Sequence, residues 1–248
     1  MKSIQQRPSI LLLALMLALP MVLGAQENPE RKTSDASETA RTPHFSIGVL
    51  GGMDRNYHIV DMSYMTDYSY SPYAPGRTLG LQLGYSPWKW LTLRLDGVVL
   101  SKNYYREHMM TGGGGAYPDT TTNEYVNVPL VVMFNVGNKI RLHAFGGVYG
   151  GYWLSSHRKG RTMAVFGSPE YDEEVDLDSQ ESQIKFNRKD GGFTYGVGLS
   201  GVVAKRLEIG VEARWYYGIF DIQKPYMTNL NPRYNTTFVL QAGLSVWL

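Results

Sequence analysis

Residues 206–220 read RLEIGVEARWYYGIF, with Leu207, Ile209, Val211, Ala213, Trp215, Tyr217 and Ile219 apolar. Between them stand Arg206, Glu208, Gly210, Glu212, Arg214, Tyr216 and Gly218. A period of two puts alternate side chains on opposite faces of a β-strand, so one face is oily and the other carries four charges. The same alternation recurs seven more times: from His44 (Phe45, Ile47, Val49), over Leu79–Tyr85, Leu91–Val99, Val126–Phe134, Ile140–Tyr152 and Phe193–Leu199, and finally over Phe238–Leu248. The chain is therefore predicted to be all-β with eight strands, and the high glycine (27) and tyrosine (18) counts agree with that class.

The connections sort by length. Ser86–Lys89, Gly137–Asn138 and Ala204–Lys205 are three tight turns, whereas about 55–76, 106–121, 156–190 and 221–234 are four long connections. Eight strands joined in this way leave both termini on the short-turn side. That is the layout of an antiparallel up-and-down transmembrane β-barrel, with short periplasmic turns and long extracellular loops. The segments supply the roughly 9–11 tilted residues that a spanning strand needs, and no later segment offers the roughly 20 apolar residues of a spanning helix. A mean hydropathy of −0.26 is compatible with this, because only every second strand residue faces lipid.

The first 25 residues read as a secretory signal peptide: Lys2 and Arg7, an apolar run from Ile10 to Leu19, and small residues at Gly24-Ala25 before Gln26. Residues 26–43 are polar and aperiodic and are expected to be a disordered periplasmic lead-in, leaving 44–248 as the barrel. No cysteine is present, which excludes disulfides, thiolate metal sites and a lipoprotein acyl anchor. Without Lys2 and Arg7 the basic count falls from 24 to 22, equal to the 22 acidic residues, so nothing points to nucleic acid.

If the apolar parity faces lipid, its aromatic residues fall at two interfaces. Phe45, Tyr85 and Phe134 sit at the periplasmic one; Tyr152, Phe193, Tyr195, Trp215, Tyr217 and Phe238 sit toward the outer one. The opposite parity reads as small or polar almost throughout and places Arg94, Asp96, Arg141, His143, Glu208, Glu212 and Arg214 in the lumen. Eight strands enclose just enough space for side chains, so this cluster is expected to pair internally and plug the barrel, with glycines leaving room for the long arginines.

Two stretches carry a family resemblance. NEYVNVPLVVMFNVGNKIRLHAFGGVYGGYWL (123–154) and GFTYGVGLSGVVAKRLEIGVEARWYYGI (192–219) resemble successive hairpins of the PorT-like outer-membrane β-barrel family of Bacteroidetes. The resemblance spans about 44–248 and implies an outer-membrane location and an eight-stranded barrel; one branch of the family serves type IX secretion. The C-terminus departs from the common pattern of outer-membrane barrels: Trp247 precedes a final Leu248.

Function is less legible. His58, His108 and His157 lie in or beside outer connections, near Asp61, Glu107 and Ser155, but at no catalytic spacing. YDEEVDLDSQE (171–181) holds six carboxylates without the glycine and spacing of a calcium loop, and flanking basic residues suggest internal pairing or contact with outer-leaflet phosphates. The tyrosine-rich 58–76 segment suits surface contacts, and GGGG at 112–115 is a flexible tip. The expectation is a monomeric, non-enzymatic barrel without cofactor. It would meet outer-membrane lipid and lipopolysaccharide and act as a structural element or partner in an envelope or secretion complex. The alternatives are a barrel enzyme acting on lipid or peptide at the outer rim and a soluble periplasmic lipid-binding barrel.

Overall fold

The computed structural model describes residues 44–59, 68–71, 75–109, 116–161, 170–204, 206–222, 224 and 234–248. The signal peptide (1–25), the lead-in (26–43), the GGGG tip and most of the tyrosine-rich segment lie outside the described residues, as do the side chains of His58 and His108. The elements are β1 (His44–Ile59), β2 (Tyr68–Ser71), β3 (Pro75–Trp88), β4 (Leu91–Ser101), β5 (Tyr104–Met109), β6 (Ala116–Gly137), β7 (Ile140–Arg161), β8 (Glu170–Glu174), α1 (Gln180–Lys185), β9 (Lys189–Ala204), β10 (Leu207–Gly218) and β11 (Tyr234–Trp247).

Eight of these strands form a closed ring. Each pairs antiparallel with its neighbours in the order β1, β3, β4, β6, β7, β9, β10, β11, and β11 returns to β1 over Ser46–Ile59. Closure leaves no exposed sheet edge around the ring, so the backbone groups of the wall are paired within it. The remaining three strands extend the wall at one end: β2 pairs with β5, β5 with β6, and β8 with β7.

Strand boundaries differ from the sequence expectation, and each difference has a cause. The first tight turn is Lys89–Trp90, because β3 continues through Trp88 across a bulge that absorbs Pro87, which has no N–H to give the ladder. At the second turn Gly137 takes φ of 111°, a conformation that suits glycine. Much of the expected long connections is strand: β6 starts at 116, β7 runs to 161, and β1 to 59. In β7 the extension reads SSHRKGR over 155–161, polar at both parities, so the period-two signal vanishes there.

Outward residues such as Val49, Leu81, Leu95, Leu130, Leu142, Val197, Val211 and Leu240 are exposed, forming an apolar belt around the wall. The interior is less polar than the sequence reading held. Leu50, Val98, Leu100, Val131, Met133, Phe145, Tyr149, Trp153, Tyr216 and Val239 all point inward and are buried. Alternation assigns a face, but aromatic residues occur on both, and Phe145, Tyr149 and Trp153 follow the inward parity of β7.

The inward glycines of β9 make room for these rings. Phe145 pairs with Gly196 and His143 with Gly198 across β7 and β9. A Cβ on Gly196 would stand 2.5 Å from the Phe145 Cζ, and one on Gly198 would collide with the His143 Nε2. On the outer face of β7, a Cβ on Gly146 would meet nothing within 4 Å. Gly196→Val should therefore lower the urea midpoint of the folded barrel by the equivalent of about 1–3 kcal/mol, as overpacking does. Gly146→Val should leave that midpoint within roughly 0.5 kcal/mol of the parent. Gel migration of unboiled samples across a urea series separates the two.

Candidate functional site: the lumen and its cap

The seven polar residues expected in the lumen divide into two groups. Arg94, Asp96, His143, Glu212 and Arg214 share one network on β4, β7 and β10. Arg94 grips Glu212 with both terminal nitrogens, at 2.5 and 2.8 Å, and its Nε lies 3.1 Å from Asp96. Arg214 reaches Asp96 at 2.8 Å and donates to the Tyr216 hydroxyl at 3.0 Å. Gln241 donates to Glu212 at 3.0 Å, and the His143 ring nitrogen lies 3.2 Å from the same carboxylate. Two guanidiniums thus face two carboxylates, all of them buried. The Phe145 ring lies against both cations, its centroid 5.2 Å from the Arg94 Cζ and 4.9 Å from that of Arg214.

Arg141 and Glu208 form a separate pair nearer the tight turns. The Trp247 indole N–H donates to Glu208 at 2.8 Å, and the Arg141 guanidinium lies over the indole ring. Between the two groups is a cavity of about 60 Å³, lined by Arg94, His143, Arg141, Glu208 and Glu212 among others.

A third cluster escaped the sequence reading. Lys102 follows the end of β4, is completely buried and is paired with Asp190 at the start of β9. Asp190 also accepts from Asn235 at 3.1 Å and from the Gly191 N–H at 2.8 Å, and the Tyr149 hydroxyl approaches at 3.4 Å. The Lys102 ammonium lies 4.4 Å from the centroid of the Tyr125 ring. Lys102 falls between β4 and β5, where alternation is interrupted, so period alone gave it no face.

The end of the barrel opposite the tight turns carries a cap. Val175, Leu177 and Phe186 fold onto the inward-facing Tyr125 and Trp153. Tyr125 stacks on Trp153 at 5.7 Å, and Phe186 meets Trp153 edge-on at 5.5 Å. α1 begins at Ser179, whose hydroxyl accepts from the Ser182 N–H, a helix N-cap. Backbone bonds fasten the segment on both sides: the Trp153 N–H to the Arg188 carbonyl, and the Asn187 N–H to the Ile222 carbonyl.

The acidic 171–181 segment belongs to this cap, and three of its six carboxylates, Asp172, Asp178 and Glu181, pair with basic side chains. Lys159 and His157 on β7 both meet Asp172, at 3.0 and 2.5 Å; Arg161 meets Glu170; Arg188 meets Asp178; Lys185 meets Glu181. Among the described residues no three metal-binding side chains converge.

Of the aromatic residues assigned to the interfaces, Phe45, Phe134, Tyr152, Phe193, Tyr195 and Tyr217 are exposed, while Tyr85, Trp215 and Phe238 are half-buried. They form two patches on different sides of the wall. Phe45 packs on Tyr85 near the tight turns. There Trp88, Trp90 and Phe134 also stack; these two tryptophans fell within or beside an expected turn and so were given no face. At the other end Tyr195, Trp215 and Phe238 stack across β9, β10 and β11.

An outward apolar belt around a lumen of matched charges is the inverse of a soluble barrel, and the comparisons with known proteins agree. The outer membrane protein beta-barrel domain family matches residues 25–224. The chain belongs to that family. It is an outer-membrane protein that crosses with strands; among the described residues no helix is long and apolar enough to do so. The family match begins just before the lead-in and stops short of β11, which the ring nevertheless requires.

Among solved structures, Neisserial surface protein A is similar at 10% identity, covering 83% of this chain and 99% of that one, with a TM-score of 0.44. The outer membrane protein OprG of Pseudomonas aeruginosa is similar at 10% identity, covering 82% and 95%, with a TM-score of 0.47. A major outer membrane protein of Thermus thermophilus is similar at 10% identity, covering 84% and 100%, with a TM-score of 0.44. No curated protein matches the sequence.

Two outcomes follow from the charge geometry. Glu212→Leu leaves two buried guanidiniums against one carboxylate and should cost about 3–5 kcal/mol, whereas the charge-balanced Arg94→Met/Glu212→Leu variant should recover most of that. Urea titration of the folded band measures both. In the cap, hydrogen bonds from Lys159 and His157 hold the Asp172 carboxyl below its ordinary value of 3.8. A carboxylate with a lowered folded value stabilises above its unfolded value, and that contribution is lost as pH falls through the folded one. NMR signals of β8 should therefore persist down through the ordinary carboxylate range and shift only below it.

Proposed function

We propose that the protein is a non-enzymatic outer-membrane barrel that serves as a structural element or partner of an envelope complex. Its tight turns and both termini face the periplasm, and its strand extensions and cap face outward. The observation that carries this reading is the lumen. Matched charges and aromatic rings fill it, and the cavity of about 60 Å³ corresponds to a couple of water volumes rather than a channel. A barrel closed on itself needs no second copy to complete its wall, which supports a monomer.

The hairpin motifs at 123–154 and 192–219 support placing the chain in the PorT-like family of Bacteroidetes, one branch of which serves type IX secretion. The cap supports contact with another envelope protein: on α1, the apolar Ile184 is exposed beside the paired Glu181 and Lys185. Among the described rim groups, two that an enzyme would use have structural partners. His157 bridges to Asp172, and the Ser155 hydroxyl donates to Glu124.

The test places a photo-reactive amino acid at position 184 in intact cells and identifies the crosslinked species by mass spectrometry. An envelope protein recovered from position 184 but not from a lipid-facing control at position 211 is the expected result. A His157→Ala strain should keep the parental lipid A pattern. An altered lipid A pattern in that strain would overturn the non-enzymatic reading.

A further inference from the structure

The outer aromatic patch ends at a pair of arginines. Trp215 pairs with Phe238, and Phe238 pairs in turn with Arg55 on β1. One strand further round the ring, Arg77 on β3 pairs with Met53, while Arg55 pairs with Pro75. Arg55 and Arg77 are therefore diagonal neighbours on adjacent strands, with backbones about 7–8 Å apart. Both are exposed on the lipid-facing parity that also carries Val49, Met53, Leu79 and Leu81. Asp54, next to Arg55 in sequence, points inward and accepts from Thr78, and Arg55 keeps a contact of its own within the protein.

Below the arginines the wall has a dent. Gly51 faces outward, paired with Ala242 on one side and Leu79 on the other, and a Cβ there would meet nothing within 4 Å. Two guanidiniums above an apolar hollow match a phosphate above an acyl chain. Each guanidinium offers five donors in a planar fork, so it can take a phosphate oxygen while keeping contacts within the protein.

We propose that Arg55 and Arg77 clamp the phosphate of an outer-leaflet glycolipid, with an acyl chain laid over Gly51 and Ala242. The clamp rests on the membrane reading of the wall and on the outward orientation of the strand extensions. It gives this side of the barrel a cationic anchor at the height where the neighbouring side uses aromatic rings.

The test folds the full chain into phosphatidylcholine vesicles containing either diphosphoryl lipid A or its dephosphorylated form, and reads retained lipid by native mass spectrometry. The parent should retain the phosphorylated lipid roughly thirtyfold better than the Arg55→Gln/Arg77→Gln variant, the scale set by two surface cations. Both proteins should retain the dephosphorylated form equally weakly. Lys89→Gln, at the tight-turn end, should match the parent. Gly51→Leu, which fills the dent and keeps both charges, should also reduce retention. Equal retention by parent and double variant would overturn the clamp, as would release of the lipid by millimolar inorganic phosphate. Gel migration before and after boiling reports folding separately. A folded double variant with undiminished retention rejects the clamp alone, whereas a parent with no heat-dependent shift rejects the barrel reading and the clamp together.

Discussion

The pairing of β11 with β1 is the constraint on which the rest depends. A sheet in hydrocarbon has no water to satisfy an open edge, so the wall must close, and eight strands close around a space only as wide as their own side chains. The basic groups buried on the inward parity then need a counter-charge inside. The Arg94–Glu212 and Arg214–Asp96 contacts, the Arg141–Glu208 pair and the Lys102–Asp190 pair are how that requirement is met at successive positions along the lumen.

Size sorting across β7 and β9 lets this packing fit. A narrow lumen cannot hold large residues on every strand, so Phe145 and His143 occupy the space that Gly196 and Gly198 leave open. Phe145 then supplies the surface against which both central guanidiniums rest. Val131, Met133, Phe145 and the central guanidiniums therefore pack together. At the capped end the same logic continues with uncharged material: the cap lays Leu177 and Phe186 on Tyr125 and Trp153, beside the buried lysine.

Much of the fold was readable because lipid exposure imposes a period of two on each crossing, and the tight turns count the crossings. The faces of Val211, Glu212 and Arg214 follow from that alone. The reading failed where the period carries no information. In the extensions of the wall beyond the belt alternation fades, so β5, β8 and the half of β7 far from the tight turn looked like loop. Trp88 sits at a bulge beside Pro87, where parity slips. Lys102 lies at a break between two strands. Inward aromatics such as Tyr149 were missed because residue type does not separate an interface ring from a core ring.

By itself the sequence determined that this chain crosses a membrane as strands, which residues face lipid and which face inward, and that the inward face carries charge of both signs. Those are properties of single strands, set by alternation. Which charges meet, which glycine yields to which ring, and how the arginines of β1 and β3 come to stand beside the aromatics of β10 and β11 were decided only by the tertiary structure. They depend on the register between strands far apart in the chain, and on the closure that brings His44–Ile59 against Tyr234–Trp247. No local pattern encodes that stagger, because each strand alternates in the same way whatever its neighbour's register.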